Sequence, residues 1–569
     1  MKYTTERNNQ IMIELLKKYN IKKIIASPGA TNVSFIASAQ SDPFFEIYSC
    51  VDERSAAYMA CGMSEESGEP VVISCTGATA SRNYFPGLTE AYYRKLPILA
   101  ITSTMPIKRI GHNIPQVIDR TNVTNDIAKL SVQIPMINEP EDEWYCMLKI
   151  NEAINELWHN GNGPVHINLE TKQSGTFSVE EIKDVKVIKR ICNGDKLPEI
   201  EEQKIAVFIG AHSKMSPELV NSIDEFCEKY NAVVITDHTG NYVGKYKLNP
   251  TIMYSQKFSE YNCTNIDLLI HIGNISGAYY GIKAKNVWRV NLDGKYVDTY
   301  RNLKYVFQIS EKEFFEKYNE RKETSSNLSY YKTWKEEIEK LKSNEDKMKF
   351  SNIYIASKIS KKFPQNCVLH LGILNSLRSW NFFDLDETIA VYCNTGGFGI
   401  DGNISSVVGA ALANPEKIFF AVVGDLSFFY DMNIIGNRHF PSNVRIIVIN
   451  NGKGQEFSNY GHRAAQFGEK TGEYIGAAGH FGNKSENLVK DYVENLGVKY
   501  LTANSKESLE KVIALFTDNK IGEHPVVLEC FTDTKDETDT LKYMCTLDIK
   551  KDKIIKKALK KTVKKIIKK

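Results

Sequence analysis

Two dipeptides stand where buried strands should stop. Gly424-Asp425 closes the apolar run "IFFAVVGD", and Asn450-Asn451 closes "VRIIVINN" about 26 residues later. Short apolar runs that end abruptly in turn residues read as buried strands. The spacing between them predicts a helix from about Asp431 to His439, broken by Pro441 and Ser442. Strand, helix and strand in so short a stretch make a βαβ unit, whose crossover leaves the two strands parallel. Asp425 and Asn451 then meet at the carboxyl edge of one sheet, where open α/β sheets bind ligands. A carboxylate and an amide offer oxygen donors only. That set suits Mg²⁺, which takes its other ligands from carbonyls, water and substrate phosphates.

The segment "GDLS" follows the Asp-bearing strand with small residues and a helix start, a setting that cradles phosphate on backbone N–H groups. Ser427 is expected to add a hydroxyl. Upstream, "NTGGFGIDGN" (Asn394 to Asn403) is a second glycine-rich turn, placed after the strand "TIAVYC" and before the helix leading to the first motif. The two loops are expected to be neighbours in one cleft that holds a diphosphate bridged by Mg²⁺ to Asp425 and Asn451.

The elements that would carry this chemistry repeat along the chain. Residues 1–175 alternate helix and strand signals: "NQIMIELLKKY", "KKIIASPG", "FFEIYSCVDE", "RSAAYMACGMSEES", "PVVISCTGATAS", "LPILAITS" and "GPVHINLE". The charged stretch "FSVEEIKDVKVIKRICNGDKLPEIEEQ" reads as a linker. A second α/β domain spans about 195–340, with strands in "KIAVFIGAH", "AVVITDHTG", "LLIHIGN" and "VWRVNLD" and a charged helical connector from Glu311 to Lys349. A third covers 350–545. The expectation is three doubly wound α/β domains in series, with mainly parallel sheets and no short-period repeat.

Composition narrows the class. The 569 residues are 42% hydrophobic and 25% charged, as in soluble globular chains. No run of apolar residues is long enough to span a bilayer, and "MKYTTERNNQ" lacks the apolar core of a signal peptide. The 11 cysteines are scattered, with no C-x-x-C pair, which suits reduced thiols in a cytoplasm. The net charge of +3 conceals a tail, 550–569, with 11 Lys against one Asp, so the remainder is mildly acidic. That balance gives no support to nucleic-acid binding outside the tail. In the tail Ile555, Leu559, Val563 and Ile567 recur every four residues, an amphipathic pattern able to touch an anionic membrane surface.

Gly-Asp, some 25 residues, then Asn-Asn, inside three α/β domains in series, resembles the thiamine diphosphate (ThDP) enzymes. The order resembles the decarboxylase and acetohydroxyacid synthase branch: a pyrimidine-binding domain, a central domain and a diphosphate-binding domain. Within it, "SPGATN", "GFGIDGNIS" and "GDLSFFYDMN…VINNGKGQEF" resemble the 2-succinyl-5-enolpyruvyl-6-hydroxy-3-cyclohexene-1-carboxylate synthases over roughly residues 1–540. The resemblance implies a glutamate against the cofactor's pyrimidine ring, and "SCVDERSAAYMACG" offers Glu53. Sharing a proton with ring N1′ favours the imino form of the 4′-amino group, which then takes the C2 proton, provided that the pocket is dry.

The same resemblance implies further residues. Ile400 would prop the cofactor into a bent shape, bringing its reacting groups together. The carbonyl of Phe398 would hold the 4′-amino group. Gly424, Leu426, Ser427 and Asn451 would meet the diphosphate, and the carbonyl of Lys453 would join Asp425 and Asn451 on the metal. Gln116, in "HNIPQVIDR", would lie near the reacting centre. At the substrate positions Thr31 and Asn32 stand where the resemblance implies a serine followed by an arginine, Thr395 stands where it implies another arginine, Ser376 matches, and Trp380 replaces a further arginine with Arg378 nearby. Fewer arginines mean a weaker clamp for carboxylates.

The resemblance also implies a homodimer, or a tetramer built from it, with the first domain of one subunit serving the third domain of another. The expected activity is decarboxylation of a 2-oxo acid and transfer of the aldehyde unit to an acceptor. Simple decarboxylation and an acetolactate synthase-like reaction are the alternatives. Paired histidines typical of simple decarboxylases are absent, since "GHN" offers His112 alone. FAD is not expected, because "GAHSKMS" and "GNISGAYYG" lack a dinucleotide fingerprint. A nucleotide-binding oxidoreductase would need the same fingerprint.

Overall fold

The computed structural model describes residues 2–257, 259–278, 280–323, 327–476 and 485–548. The lysine-rich tail, 550–569, lies outside the described residues. The chain divides into two compact units where the sequence reading has three domains: Met1–Leu197 with Asp293–Gln308, and Pro198–Leu292 with Ile309–Lys569. No described helix is long and apolar enough to cross a membrane.

The first unit is built on six parallel strands. Their order across the sheet is Glu46–Ser49, Lys23–Ala26, Val71–Cys75, Ile98–Thr104, Val165–Glu170, Ser131–Ile134. Both faces are covered. Along Ile98–Thr104, Leu99 and Ile101 pack with Ile24, Val72 and Ile167, while Ile98 and Ala100 pack with Ile25, Val71 and Ile73 on the other face. A strand buried on both sides has no polar face to alternate with, which is why these segments read as continuous apolar runs. Ser131–Ile134, four residues with two polar ones, is the strand the sequence reading does not name.

The stretch read as a linker carries structure. Phe177–Val179 pairs antiparallel with Tyr3–Thr4, and Lys189–Cys192 pairs in parallel with Leu303–Gln308. Two of its charges find partners elsewhere in the unit: Arg190 Nη1 meets Glu156 Oε2 at 3.1 Å, and Asp184 Oδ1 meets Lys18 Nζ at 2.6 Å.

The second unit holds two sheets. In the central one the parallel strands Lys247–Leu248, Val233–Thr236, Ile205–Ile209, Asn265–Ile272 and Lys283–Val290 are neighbours in that order. The other has six parallel strands, ordered Ala390–Tyr392, Val368–Leu371, Phe419–Gly424, Val444–Asn450, Val526–Phe531, Lys499–Ala503. Asn241 joins the two as a strand would: its Nδ2 donates to the Val391 carbonyl and its Oδ1 accepts the Val391 N–H, each at 2.8 Å.

Between the strands of the βαβ unit, the helix runs from Asp425 to Asp431, and Met432–Gly436 is a 3₁₀ turn. The helix thus begins at the motif itself, where the sequence reading put it six residues later. Asp425 in the first turn favours a helix start, since a carboxylate there meets free N–H groups. Gly436 and the turn at Asn437 end the segment before Pro441 is reached.

Candidate active site

Parallel pairing places Gly424 opposite Ile449, so Asp425 and Asn451 emerge side by side at the carboxyl edge of the second six-stranded sheet. Asp425 is 6% exposed. Its Oδ1 accepts the Leu426 N–H and its Oδ2 the Gly452 N–H, both at 2.7 Å. Burial pushes its carboxyl up to about 6, with backbone N–H groups only partly offsetting the rise. No cationic side chain pairs with it among the described residues. A carboxylate held this way wants a cation.

The surrounding donors fit a hard ion. Asn451 and Lys453 line the same cleft, and the Asn451 Oδ1 accepts the Lys453 N–H at 3.3 Å. Among the described residues no three His, Cys, Asp or Glu side chains cluster as metal ligands. One carboxylate with amide and carbonyl oxygens leaves room for phosphate and water, as Mg²⁺ requires. Gly424 borders this cleft, together with Leu426, Asn451 and Gly454. A Cβ on Gly424 would meet no protein atom within 4 Å. Protein packing does not demand this glycine, whereas close approach of a ligand in the cleft would. Gln455 adds a buried Oε1 with no protein partner among the described residues, also lining the cleft. The residues present therefore fit a metal-bridged diphosphate.

The glycine-rich loop and the "GDLS" turn touch. Ser427 Oγ donates to the Ile400 carbonyl at 2.6 Å and accepts from Asn403 Nδ2 at 2.9 Å. Its hydroxyl proton is committed to the protein, so Ser427 braces the loop and does not donate to phosphate through Oγ. Ile400 and Leu426 line the cleft. Phe398 sits in the left-handed region (φ +57°) and is 44% exposed.

The substrate positions fare unequally. Ser376 is buried and lines the cleft, at the start of the helix Asn375–Trp380. Arg378 lines it too, but its fork is taken: Nη1 and Nη2 reach the two Glu456 oxygens at 2.8 and 2.9 Å. Trp380 is fully buried and stacks on Phe363, a core residue whose position gives it no substrate contact. Thr395 is buried at 6% exposure and does not line the cleft.

The first unit carries the other predicted residues. Glu53 opens the helix Glu53–Ser67, next to the cap Asp52, whose side chain accepts from Arg54 and Ser55 N–H. Asn83 Nδ2 donates to Glu53 Oε2 at 3.1 Å. Thr31 and Asn32 are buried. Thr31 Oγ1 contacts Thr76 Oγ1 at 2.7 Å, donates to the Ser103 carbonyl at 3.0 Å and accepts the Gly77 N–H. Asn32 Nδ2 donates to the Ser27 carbonyl. Both side chains hold loops together, which corrects the expectation that they face substrate. Gln116 is exposed, with φ +66°, and His112 is also exposed.

Three acidic residues escaped the sequence reading. Glu456 pairs with Arg378. Glu537, fully buried on the helix Thr534–Met544, accepts the Asn352 N–H at 2.9 Å, lines the cleft, and is pushed up to about 7 by burial. Glu529 accepts from Asn450 Nδ2 and Tyr500 Oη, both at 2.7 Å. Asn450 thus looks into the sheet while Asn451 meets the cleft. Nothing local in the sequence marks these acids, because their partners lie roughly 30 to 190 residues away.

Known families and proteins agree with this geometry. The family model described as the thiamine pyrophosphate enzyme N-terminal TPP binding domain matches residues 7–123, and the C-terminal TPP binding domain matches residues 376–530. A 2-succinyl-5-enolpyruvyl-6-hydroxy-3-cyclohexene-1-carboxylate synthase of Bacteroides thetaiotaomicron is 30% identical over 565 residues, covering 95% of this chain and 98% of its own. Synthases of that name from Phocaeicola vulgatus and Flavobacterium johnsoniae are each 29% identical over 561 residues, covering 95% and 94% of this chain and 98% and 97% of their own. Matched at both cofactor-binding domains and along almost its whole length, the chain belongs to the thiamine pyrophosphate enzymes, in the branch of these synthases.

Proposed function

We propose that this ThDP enzyme decarboxylates a 2-oxo acid with Mg²⁺ as its metal and transfers the remaining aldehyde unit to an acceptor, forming a carbon–carbon bond. The observation that carries this reading is the end-to-end similarity to synthases whose name describes a succinyl group on a cyclohexene ring that also bears a carboxylate. By that analogy, 2-oxoglutarate is the donor to try first, since loss of CO₂ from it leaves a four-carbon unit of that kind.

When bound, thiamine diphosphate supplies the carbanion that adds to the 2-oxo carbon and the electron sink that lets CO₂ leave. The chain's residues do the rest. Glu53, steadied by Asn83, would share a proton with the pyrimidine ring. Asp425, Asn451 and the Lys453 carbonyl would hold Mg²⁺, whose charge would offset that of the buried carboxylate. Ile400, fixed through its own carbonyl by Ser427 and Asn403, would support the cofactor from below, and the Phe398 carbonyl would accept from its amino group. Gln116 approaches the reacting centre. The Arg378–Glu456 pair presents a net-neutral wall to the cleft, so Arg378 as it stands offers a substrate carboxylate only a weak clamp. The smallest working assembly is a homodimer. Its eleven cysteines are free, eight of them buried, which supports a reducing, cytosolic setting.

The test is CO₂ release from 2-oxoglutarate, pyruvate, phosphonopyruvate and sulfopyruvate, with ThDP and Mg²⁺ present or omitted and aldehyde assayed alongside. CO₂ that depends on both cofactors, with little aldehyde, is expected. Stoichiometric aldehyde would make the enzyme a simple decarboxylase. CO₂ release unaffected by omitting Mg²⁺ and adding chelator would remove the metal from the reading.

A further inference from the structure

Behind the loop Thr76–Ala78 of the first unit lies a small cavity with two arginines and no acid. Ser81, Arg82, Tyr84, Thr102, Arg120 and His166 supply its polar lining, and its free room is that of about one water-sized particle. Arg120 is 3% exposed. Its Nη2 donates to the Ser103 carbonyl at 3.2 Å, while its Nε and Nη1 have no hydrogen-bond partner among the described residues. Neither arginine forms an ion pair among those residues. Arg82 stands at the exposed end, donating to the Asp119 carbonyl at 2.9 Å with its guanidinium over the Phe85 ring.

None of the other polar groups carries a negative charge, and Tyr84 Oη, buried with no hydrogen-bond partner among the described residues, is a neutral hydroxyl able to donate to an anion beside Arg120. Both ring nitrogens of His166 are taken, by Thr102 Oγ1 at 2.7 Å and Ser131 Oγ at 2.8 Å. Burial and the two arginines hold its pKa down to about 3, so it is neutral. Ser81 Oγ donates to the Ala78 carbonyl. Burial also pulls Arg120 down to about 10. A guanidinium that stays charged at neutral pH, dry and half-paired, is costly unless an anion accompanies it.

We propose that this cavity binds one small monovalent anion of chloride size, held by Nε and Nη1 of Arg120 and admitted past Arg82. The site is independent of the reaction proposed above. Its effect reaches toward Glu53 by two short paths. The Ser103 carbonyl that accepts from Arg120 also accepts from Thr31, which in turn receives the Gly77 N–H. Arg82 is followed directly by Asn83, the residue that donates to Glu53. An occupied site therefore secures the loops that flank Glu53.

Two experiments on the full-length protein test this. Crystals soaked in bromide should show an anomalous peak within about 3.5 Å of Arg120 Nε or Nη1, a normal charge-assisted contact. Thermal unfolding in sodium chloride, balanced against sodium gluconate at constant ionic strength, should show a saturable rise in Tm of about 2–5 °C. Gluconate is too large to enter. Arg120→Gln should flatten that rise; if this variant does not fold, Arg82→Gln should shift the chloride midpoint several-fold upward. A cavity with no anomalous peak, or a chloride response unchanged in the variants, would overturn the proposal.

Discussion

The two six-stranded sheets are ordered alike but finished differently. Numbered by position in the chain, the strands of each run 2-1-3-4-6-5 across the sheet. In the first sheet the turn after the third strand, Thr76-Gly77, is knotted to Thr31 by hydrogen bonds. A Cβ on Gly29 would fall 2.2 Å from Thr76 Cβ, and one on Gly87 would fall 2.4 Å from Ala57 Cβ. In the second the corresponding turn is Gly424-Asp425, and a Cβ on Gly424 would meet open space. One edge is closed with protein; the other is left open beside a buried carboxylate. The same architecture thus places Glu53, the proposed proton partner of the cofactor, after the second strand of one sheet and the buried carboxylate of Asp425, the proposed metal ligand, after the third strand of the other.

Charge-removing substitutions break this contrast most sharply. Glu53→Gln should lower turnover by about 10²–10⁴-fold, the range for a lost acid–base group, with ThDP binding by calorimetry retained. Near-normal turnover would detach Glu53 from the chemistry. Asp425→Asn removes the charge and keeps one of the two oxygens that accept backbone N–H groups, a lost hydrogen bond of about 1–2 kcal/mol that the relief of the buried charge outweighs. It should cost about 100-fold or more in Mg²⁺ affinity, yet raise the Tm of the metal-free protein at pH 7.5. The reason lies in linkage. A carboxyl raised from 3.8 to about 6 makes the native state bind more protons than the unfolded one between those values, so metal-free stability falls as pH rises through that window. The two-unit shift corresponds to about 3 kcal/mol. A lower Tm in the variant would show that Asp425 is not strained by its own charge.

The same linkage predicts that Mg²⁺ affinity, measured by calorimetry in the presence of ThDP, rises about tenfold from pH 5 to pH 7 and levels off above, with proton uptake by buffer. A flat profile would place the metal on groups that do not titrate there. The smallest effect belongs to the brace. Ser427→Ala removes one donor and one acceptor between the two loops and should cost about 1–2 kcal/mol in chemical denaturation. No change in stability would mean that the Ile400 carbonyl and Asn403 find other partners.

Asp425 and Asn451 were legible because each ends an apolar run, and burial on both faces makes such runs visible without any knowledge of the neighbours. Helix and strand ends were less so: the helix after Gly424 starts at once, since Asp425 is itself a good first-turn residue. Short strands with charged or polar residues, Lys189–Cys192 and Ser131–Ile134, owe their existence to partners elsewhere in the chain and carry little signal of their own. The shared strand order of the two sheets was hidden for a related reason, because it is a matter of pairing and not of repeated residues. The Arg378–Glu456 pair, 78 residues apart, lay beyond any local reading.

The buried thiols give the molecule a built-in reporter. Cys61, Cys75 and Cys146 are buried in the first unit, and Cys227, Cys263, Cys367, Cys530 and Cys545 in the second. Burial raises Cys61 to about 11 and Cys75, Cys146 and Cys367 to about 12, so an alkylating reagent finds almost no thiolate at these positions in the folded chain, while the partly exposed Cys50, Cys192 and Cys393 mark the background. Each unit therefore releases its own set of reactive sulfurs only when its sheet opens. Peptide mapping of alkylated cysteines, taken over time, would time the opening of the two units separately in one sample without adding a single label.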